Sequence, residues 1–155
     1  MLQRIQTVYL LLIVIFAGLT IFSPVADLIN TKDHLLYLLD FKGITLIQPS
    51  GNVLVSTTWF LSAFAAVYGI IAAITIFSFK NRVKQIRLSV INMLFMIGYY
   101  LLLAFYIWSA SKELNADWHL HFVTGLPLIS LILNYLAIGA IGKDEALVKS
   151  LDRLR

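Results

Sequence analysis

Four long apolar runs dominate this sequence, and each is long enough to cross a lipid bilayer as a helix. The hydrocarbon core of a bilayer is about 30 Å thick, so a helix needs about 20 predominantly apolar residues to span it. The runs cover residues 5–23, 58–79, 88–110 and 122–141. We therefore predict an all-α membrane protein, in which four transmembrane helices form a single bundle.

The composition excludes an ordinary soluble domain. Hydrophobic residues make up 60% of the chain and charged residues 13%, whereas soluble domains have about 45–50% and about 25%. The formal net charge of +4 comes from basic residues that flank the predicted spans. Anionic lipid headgroups are therefore a more economical partner for this charge than nucleic acid.

A short basic stretch at residues 80–87 separates the second and third runs and predicts the orientation of the chain. Short loops rich in Lys and Arg stay in the cytoplasm, because they resist translocation. With four spans, both termini lie on the same side as this loop, and the termini are basic as well. The predicted cytoplasmic face, which contacts lipid headgroups or a partner, comprises Arg4, Lys80, Arg82, Lys84, Arg87, Lys149, Arg153 and Arg155.

The first run also has the form of a signal peptide, because Arg4 precedes an apolar stretch. However, Ile5–Phe22 is longer than the usual apolar region of a signal peptide. Pro24 would also occupy the −3 position for cleavage after Ala26, which disfavours cleavage. We therefore predict that the first helix is retained.

Residues 24–57 form the longer predicted outer loop, and their pattern is typical of short strands. Its three apolar runs, Leu35–Leu39, Ile44–Gln48 and Val53–Thr57, are separated by turns rich in Asp, Pro and Gly. We predict a small β-like antiparallel meander in this loop. An interfacial helix over Leu28–Leu39, followed by one hairpin, is the alternative.

The second outer loop, residues 111–121, and the cytoplasmic tail, residues 142–155, are more polar. In the tail, Leu147, Leu151 and Leu154 recur at helical spacing among charged residues. The tail is therefore predicted to form a short amphipathic helix, which lies in the headgroup layer or against a partner protein.

The second span is rich in small residues. Small side chains allow the backbones of membrane helices to approach closely, which favours helix association. We predict that this helix is central in the bundle, with an Ala-rich, lipid-facing helix as the alternative. The residues predicted to allow close packing are Ala65, Ala66, Gly69, Ala72 and Ala73.

Asn92 and Asn134 are the two amide side chains that lie well inside predicted spans, and Thr75 lies nearby in depth. An amide without a partner is unfavourable in hydrocarbon, so we predict a polar contact between the second, third and fourth helices. A structural role is favoured over a transport pathway. No Asp, Glu, Lys or Arg lies in the middle of a predicted span, where ion-coupled transporters usually have one.

The sequence carries no catalytic motif, and its one metal-like cluster is weak. Asp117, His119 and His121 lie close together in the second outer loop, with His34 in the first. A metal site needs three or four ligands held rigidly, and a haem ligand would have to lie deep between helices. The chain also lacks cysteine. We therefore predict no cofactor and no enzymatic activity.

Both ends of the chain resemble a known family. The chain opens with Met-Leu-Gln-Arg-Ile-Gln-Thr-Val-Tyr-Leu-Leu-Leu and closes with Lys-Asp-Glu-Ala-Leu-Val-Lys-Ser-Leu-Asp-Arg-Leu-Arg. These ends are similar to a group of small integral membrane proteins from Bacteroidetes-type bacteria, domain of unknown function forty-two ninety-three. The resemblance extends to length and span number and implies a four-helix, multi-pass protein of the bacterial inner membrane. It brings no activity, cofactor or site residue.

We therefore expect a non-catalytic protein, an accessory or scaffolding subunit of a membrane complex. The expected partners are membrane lipids and another membrane protein or a second copy of the chain. Partners would be engaged through the second helix and the basic cytoplasmic face. The alternative is a carrier or binder of a lipid or other apolar small molecule between the helices.

Overall fold

The structure, a computed structural model, describes residues 3–31, 34–49, 51–79 and 81–152; the side chains of residues 3, 4 and 147–152 are not described. The described chain forms four long helices, five short strands and one 3₁₀ turn. In chain order these are α1 (Gln3–Phe22), β1 (Ala26–Asn30), β2 (Leu35–Leu39), β3 (Ile44–Ile47), β4 (Val53–Ser56), α2 (Trp59–Phe77), α3 (Arg82–Leu114), β5 (Asp117–Leu120), the 3₁₀ turn (Phe122–Gly125) and α4 (Leu126–Asp152).

The four helices pack side by side as a bundle. Neighbours in contact are α1 with α2, α2 with α3, α3 with α4, and α4 with α1. Each helix buries a stripe of residues spaced three and four apart, which is the spacing of helices that cross at a shallow angle. On α1, the stripe comprises Gln6, Leu10, Ile13, Ala17 and Thr20. All four helices are long and apolar enough to cross a membrane.

The predicted all-α class is wrong, because the described chain also contains a five-stranded antiparallel sheet. The strand order is β4-β3-β2-β1-β5. The three apolar runs of the first outer loop form β2, β3 and β4, so the alternative interfacial helix over Leu28–Leu39 is wrong as well. The sheet also takes in two strands that the sequence analysis left as loop, β1 and β5.

The pairing of β1 with β5 explains why the sequence analysis missed both strands. Leu28 lies opposite Trp118, and Asp27 opposite His119, although about 90 residues separate them in the chain. Each strand is short and carries charged or polar residues. The extended form of β5 therefore depends on a distant partner, whereas β1 pairs both with β5 and with its neighbour β2.

Two helices extend beyond the predicted spans. Asn81 caps α3, since its side-chain oxygen accepts a hydrogen bond from the Lys84 backbone N–H at 3.1 Å. Lys84 and Arg87, predicted in the loop at residues 80–87, therefore lie on the first turns of α3. Similarly, α4 continues through Gly142 to Asp152, so the described part of the tail continues a spanning helix rather than forming a separate one.

The sheet packs against the C-terminal end of α3. With 33 residues, α3 is about 50 Å long, longer than the bilayer core is thick. The Asn30 side-chain amide donates a hydrogen bond to the Leu114 carbonyl at 3.0 Å, which joins β1 to the last turn of this helix. Asn115 then ends the helix in the left-handed conformation (φ 47°).

Candidate functional site

One face of the sheet is buried against the helices and the other faces away from them. Because directly paired residues point to the same face, the register assigns each residue to a face. Buried Leu28 and Tyr37 mark the inner face. The apolar residues of the opposite face are Ile29, Leu36, Leu38, Ile47 and Leu54. We call them the outer sheet surface.

These apolar residues are neighbours across strands. Ile29 lies opposite Leu36, and Leu36 lies opposite Ile47, so these three form one row. Leu38 and Leu54 flank Thr45 in the next row. Leu36 is 36% exposed and Leu54 is 51% exposed, while Ile29, Leu38 and Ile47 are half-buried. An antiparallel sheet with one buried face usually alternates apolar and polar residues, so this apolar outer face is unusual.

The outer sheet surface ends at an edge strand, β4. All four residues of β4 are exposed, and Val53, Leu54 and Val55 are apolar. Natural proteins usually protect sheet edges with charges, proline or covering segments, whereas β4 contains neither a charged residue nor a proline. Such an edge can accept a further strand.

The other side of the outer sheet surface has a polar rim. The His121 ring nitrogen Nε2 lies 2.8 Å from the Asp27 carboxylate, and Asp117 and His119 lie on the outer face of β5. In the part of the chain that the structure describes, no group of three or more His, Asp or Glu residues could hold a metal ion. His121 thus contacts Asp27 of β1, outside the predicted cluster, and His34 lies in the β1–β2 turn.

A buried polar network joins three helices at the opposite end of the bundle. The Gln6 side-chain amide on α1 donates a hydrogen bond to the Asp144 carboxylate on α4 at 2.8 Å. The Arg82 guanidinium on α3 lies 3.6 Å from the same carboxylate, at ion-pair distance. Nearby, the Gln85 side-chain amide donates a separate hydrogen bond to the Thr75 carbonyl at 3.0 Å, which links α3 to α2. Gln6, Gln85 and Asp144 are all buried.

The structure does not join the three residues of the predicted interhelical contact directly. The Asn134 amide donates a hydrogen bond to the Ser89 carbonyl on α3 at 2.7 Å, whereas the Thr75 hydroxyl bonds to Ile71 of its own helix. Asn92 is fully buried, and neither of its amide atoms has a hydrogen-bond partner among the described residues. Asn134 thus links α3 to α4, and Asn92 does not.

Because Asn134 has an interhelical hydrogen bond and Asn92 has none, we expect their substitutions to change the free energy of unfolding in opposite directions. Asn92→Leu is expected to raise the free energy of unfolding by about 1–2 kcal/mol, because it removes buried polar atoms that lack partners. Asn134→Leu is expected to lower it by about 1 kcal/mol, because it removes an interhelical hydrogen bond. Equilibrium unfolding in mixed micelles of mild detergent and dodecyl sulfate would measure both. A destabilised Asn92→Leu variant would contradict the structural interpretation.

The small residues predicted for close packing are used inside the bundle. Ala65, Gly69 and Ala72 are buried, while Ala66 and Ala73 are half-buried. A Cβ atom added to Gly69 would come within 2.9 Å of the Ala17 side chain on α1, so the backbones of α1 and α2 approach closely at this point.

The basic residues of the predicted cytoplasmic face have different environments. Arg82 belongs to the buried polar network, whereas Lys84 and Arg87 are exposed on α3. The side chains of Arg4 and Lys149 lie outside the described set. The remaining predicted residues, Lys80, Arg153 and Arg155, lie outside the described residues altogether.

The sequence analysis missed Asp144 and the outer sheet surface. Asp144 had a signal, because it follows the same buried stripe of α4 as Asn134, Ala137 and Ile141, at spacings of three and four. The predicted fourth span ends at residue 141 and therefore leaves Asp144 out of this stripe. The outer sheet surface had no local signal. Residues of the outer and inner faces alternate along each strand, and because both sets are mainly apolar, the strand appears in the sequence as a continuous apolar run.

Together, these features define a class of protein: a membrane-type bundle of four helices with an antiparallel sheet at one end and a buried polar network at the other. The chain belongs to the family described as Domain of unknown function (DUF4293), whose model matches residues 2–154. The match confirms the family predicted from the two chain ends. Comparison with curated proteins finds no match.

Proposed function

We propose that this protein is a non-catalytic accessory or scaffolding subunit of a complex in the inner membrane of a Bacteroidetes-type bacterium. The proposed arrangement has both termini in the cytoplasm and the sheet on the outer side. The observation that carries the proposal is the apolar outer sheet surface. Contiguous exposed apolar residues beside a polar rim mark interaction sites in many proteins.

The energetics favour a protein partner for this surface. Complete burial of an exposed Leu or Ile side chain stabilises a complex by about 1.5–3 kcal/mol. Further burial of Leu36 and Leu54, and of the half-buried Ile29, Leu38 and Ile47, therefore provides a driving force, although a smaller one than five complete burials. The adjacent edge of β4 adds backbone donors and acceptors for a partner strand. We propose the extramembrane segment of another membrane protein as the occupant.

The expected contact through α2 is replaced in this proposal by the sheet. Ala65, Gly69 and Ala72 are buried between the chain's own helices, so they are not accessible to a partner. Lys84 and Arg87 stay exposed, and we retain the basic face as a contact with anionic headgroups.

A purification from the native host in mild detergent tests the proposal. The tagged wild-type protein is expected to retain a membrane protein in fixed stoichiometry, as measured by native gel and mass spectrometry. Leu36→Lys is expected to reduce that recovery at least about tenfold, because a charge in the centre of an apolar interface is strongly unfavourable.

A matched control distinguishes a lost partner contact from a loss of folding. Phe41→Lys adds the same charge in the β2–β3 turn, at an apolar residue that is 43% exposed and outside the outer sheet surface. This variant is expected to retain the partner. A purified dimer that Leu36→Lys separates would identify a second copy as the occupant. A monomer without any protein partner would overturn the proposal.

The alternative function, a carrier or binder of a lipid or other apolar small molecule, is supported by a different feature. An apolar groove lies between the C-terminal half of α3, β5 and the 3₁₀ turn. This groove lies on the side of the bundle, where its lining residues Trp108 and Trp118 are exposed. It would therefore bind a molecule from the surrounding lipid rather than one enclosed between the helices.

A further inference from the structure

The groove beside α3 is large enough to hold part of a long apolar molecule such as an acyl chain. Its volume is about 400 Å³. Its wall is mainly apolar and aromatic, with the residues Leu103, Ala104, Ile107, Trp108, Trp118 and Leu120. Because Trp118 and Leu120 both point to the inner face of β5, the strand forms one wall and α3 the other.

The polar side chains that line the groove already have hydrogen-bond partners. The Tyr100 hydroxyl donates to the Thr124 carbonyl at 2.7 Å, and the Thr124 hydroxyl donates to the Val25 carbonyl at 2.6 Å. The Ser111 hydroxyl donates to the Ala116 carbonyl at 2.8 Å. The groove therefore suits an apolar chain rather than a polar ligand.

A positive charge lies at the rim of this groove. The Lys112 ammonium group lies 3.9 Å from the centroid of the Trp108 ring, in a cation–π contact. The nearest acidic residues along the chain point elsewhere: Glu113 lines a different depression, beside Val55, and Asp117 lies on the outer face of β5. A cation thus lies beside Trp108, one of the residues that line the apolar groove.

The level of the groove along α3 fits the boundary between headgroups and acyl chains. Trp108 begins the last two turns of α3, shortly before the sheet. Tryptophan is enriched at this boundary in membrane proteins, because its ring is amphipathic. An acyl chain in the groove would therefore bring the phosphate of the same lipid to the height of Lys112.

We propose that this groove binds one anionic phospholipid, with an acyl chain against Trp108 and Trp118 and the phosphate at Lys112. Charge complementarity and the apolar lining together select this occupant. The lipid site is separate from the outer sheet surface, since Trp118 and Leu120 point to the inner face of the sheet. A lipid in this groove is therefore independent of the proposed subunit function, and it makes the alternative function, lipid binding at the same groove, specific.

Tryptophan quenching by brominated lipids tests the site directly. The chain has three Trp residues, and Trp59→Phe leaves the two that line the groove. The purified variant is reconstituted in vesicles of fixed phosphatidylglycerol and phosphatidylcholine content, in which only one lipid carries brominated chains. With equal amounts of the two lipids, quenching through the site is expected to be about fivefold greater when phosphatidylglycerol rather than phosphatidylcholine carries the bromine, from the single Lys112 charge.

Two further substitutions distinguish the contribution of acyl-chain contact from that of the headgroup charge. Ala104→Phe fills the groove from an exposed position of α3 and is expected to abolish the preferential quenching. Leu101→Phe, a control on the same helix outside the groove, is expected to leave it unchanged. Lys112→Gln is expected to make quenching by the two lipids equal, without abolishing contact between the acyl chain and the groove.

The result that would overturn the proposal is equal quenching by both lipids in the Trp59→Phe protein, unaffected by Ala104→Phe, because it would indicate random contact with bulk lipid. A phosphatidylglycerol preference that survives Lys112→Gln would overturn the assignment of the phosphate. Folding of each variant is checked by gel filtration, so that a lost preference is not mistaken for unfolding.

Discussion

Replacement of Asp144 with alanine is expected to lower the free energy of unfolding by about 3 kcal/mol. Removal of one member of a buried ion pair typically destabilises a protein by about 3–5 kcal/mol, because the remaining charge stays buried without a partner. We expect the low end, since 25% of the Arg82 side chain is exposed. The Gln6 amide also loses its acceptor. Unfolding in mixed micelles would measure the change.

Two companion variants identify the cause of the Asp144 effect. Lys143→Ala, at an exposed residue of the same turn, is expected to change stability by less than about 0.5 kcal/mol. Addition of Arg82→Met to Asp144→Ala is expected to restore part of the loss, because no buried charge then remains. Equal losses for Lys143→Ala and Asp144→Ala would contradict the network.

Gly43→Ala is expected to destabilise the sheet by about 3 kcal/mol or more. Gly43 has φ +148°, a conformation that L-residues rarely adopt, and an added Cβ atom would overlap the Ser56 carbonyl oxygen. The unfavourable conformation alone is worth about 1–3 kcal/mol, and the overlap would also separate β3 from β4. Hydrogen exchange is expected to show faster exchange of the β3 and β4 amides.

Gly51→Ala is the matched control for this prediction. Gly51 also has a positive φ, +128°, but an added Cβ atom would meet nothing within 4 Å among the described residues. Its loss of stability is therefore expected to reflect the backbone conformation alone. If both variants lost the same free energy, the close approach between Gly43 and Ser56 would not contribute to stability.

The sequence predicted the parts of the fold that depend on local pattern. The apolar runs gave the four long helices, and the runs at Leu35–Leu39 and Ile44–Gln48 correspond to strands. The all-α class was wrong because the three short apolar runs form a five-stranded sheet together with β1 and β5, and β5 joins it by pairing with β1 across about 90 residues. Short strands with polar residues do not carry a periodic signal strong enough to reveal such a pair.

The candidate site was less predictable than the fold. Asn134 was recognised because an amide within an apolar run is conspicuous, and its bond to Ser89 links two helices. Asp144 falls in the predicted amphipathic tail helix, because charged residues surround it in the chain. The register of β2 with β3 decides that Leu36 and Ile47 point away from the helices, and register depends on the whole sheet.

The length of α3 has a mechanical consequence. This single helix, about 50 Å long, carries Arg82 of the polar network in its first turn and holds β1 through the Leu114 carbonyl in its last. A continuous helix moves as one rigid element. A displacement of the sheet would therefore also move the end of α3 that carries Arg82, and with it the Arg82–Asp144 pair.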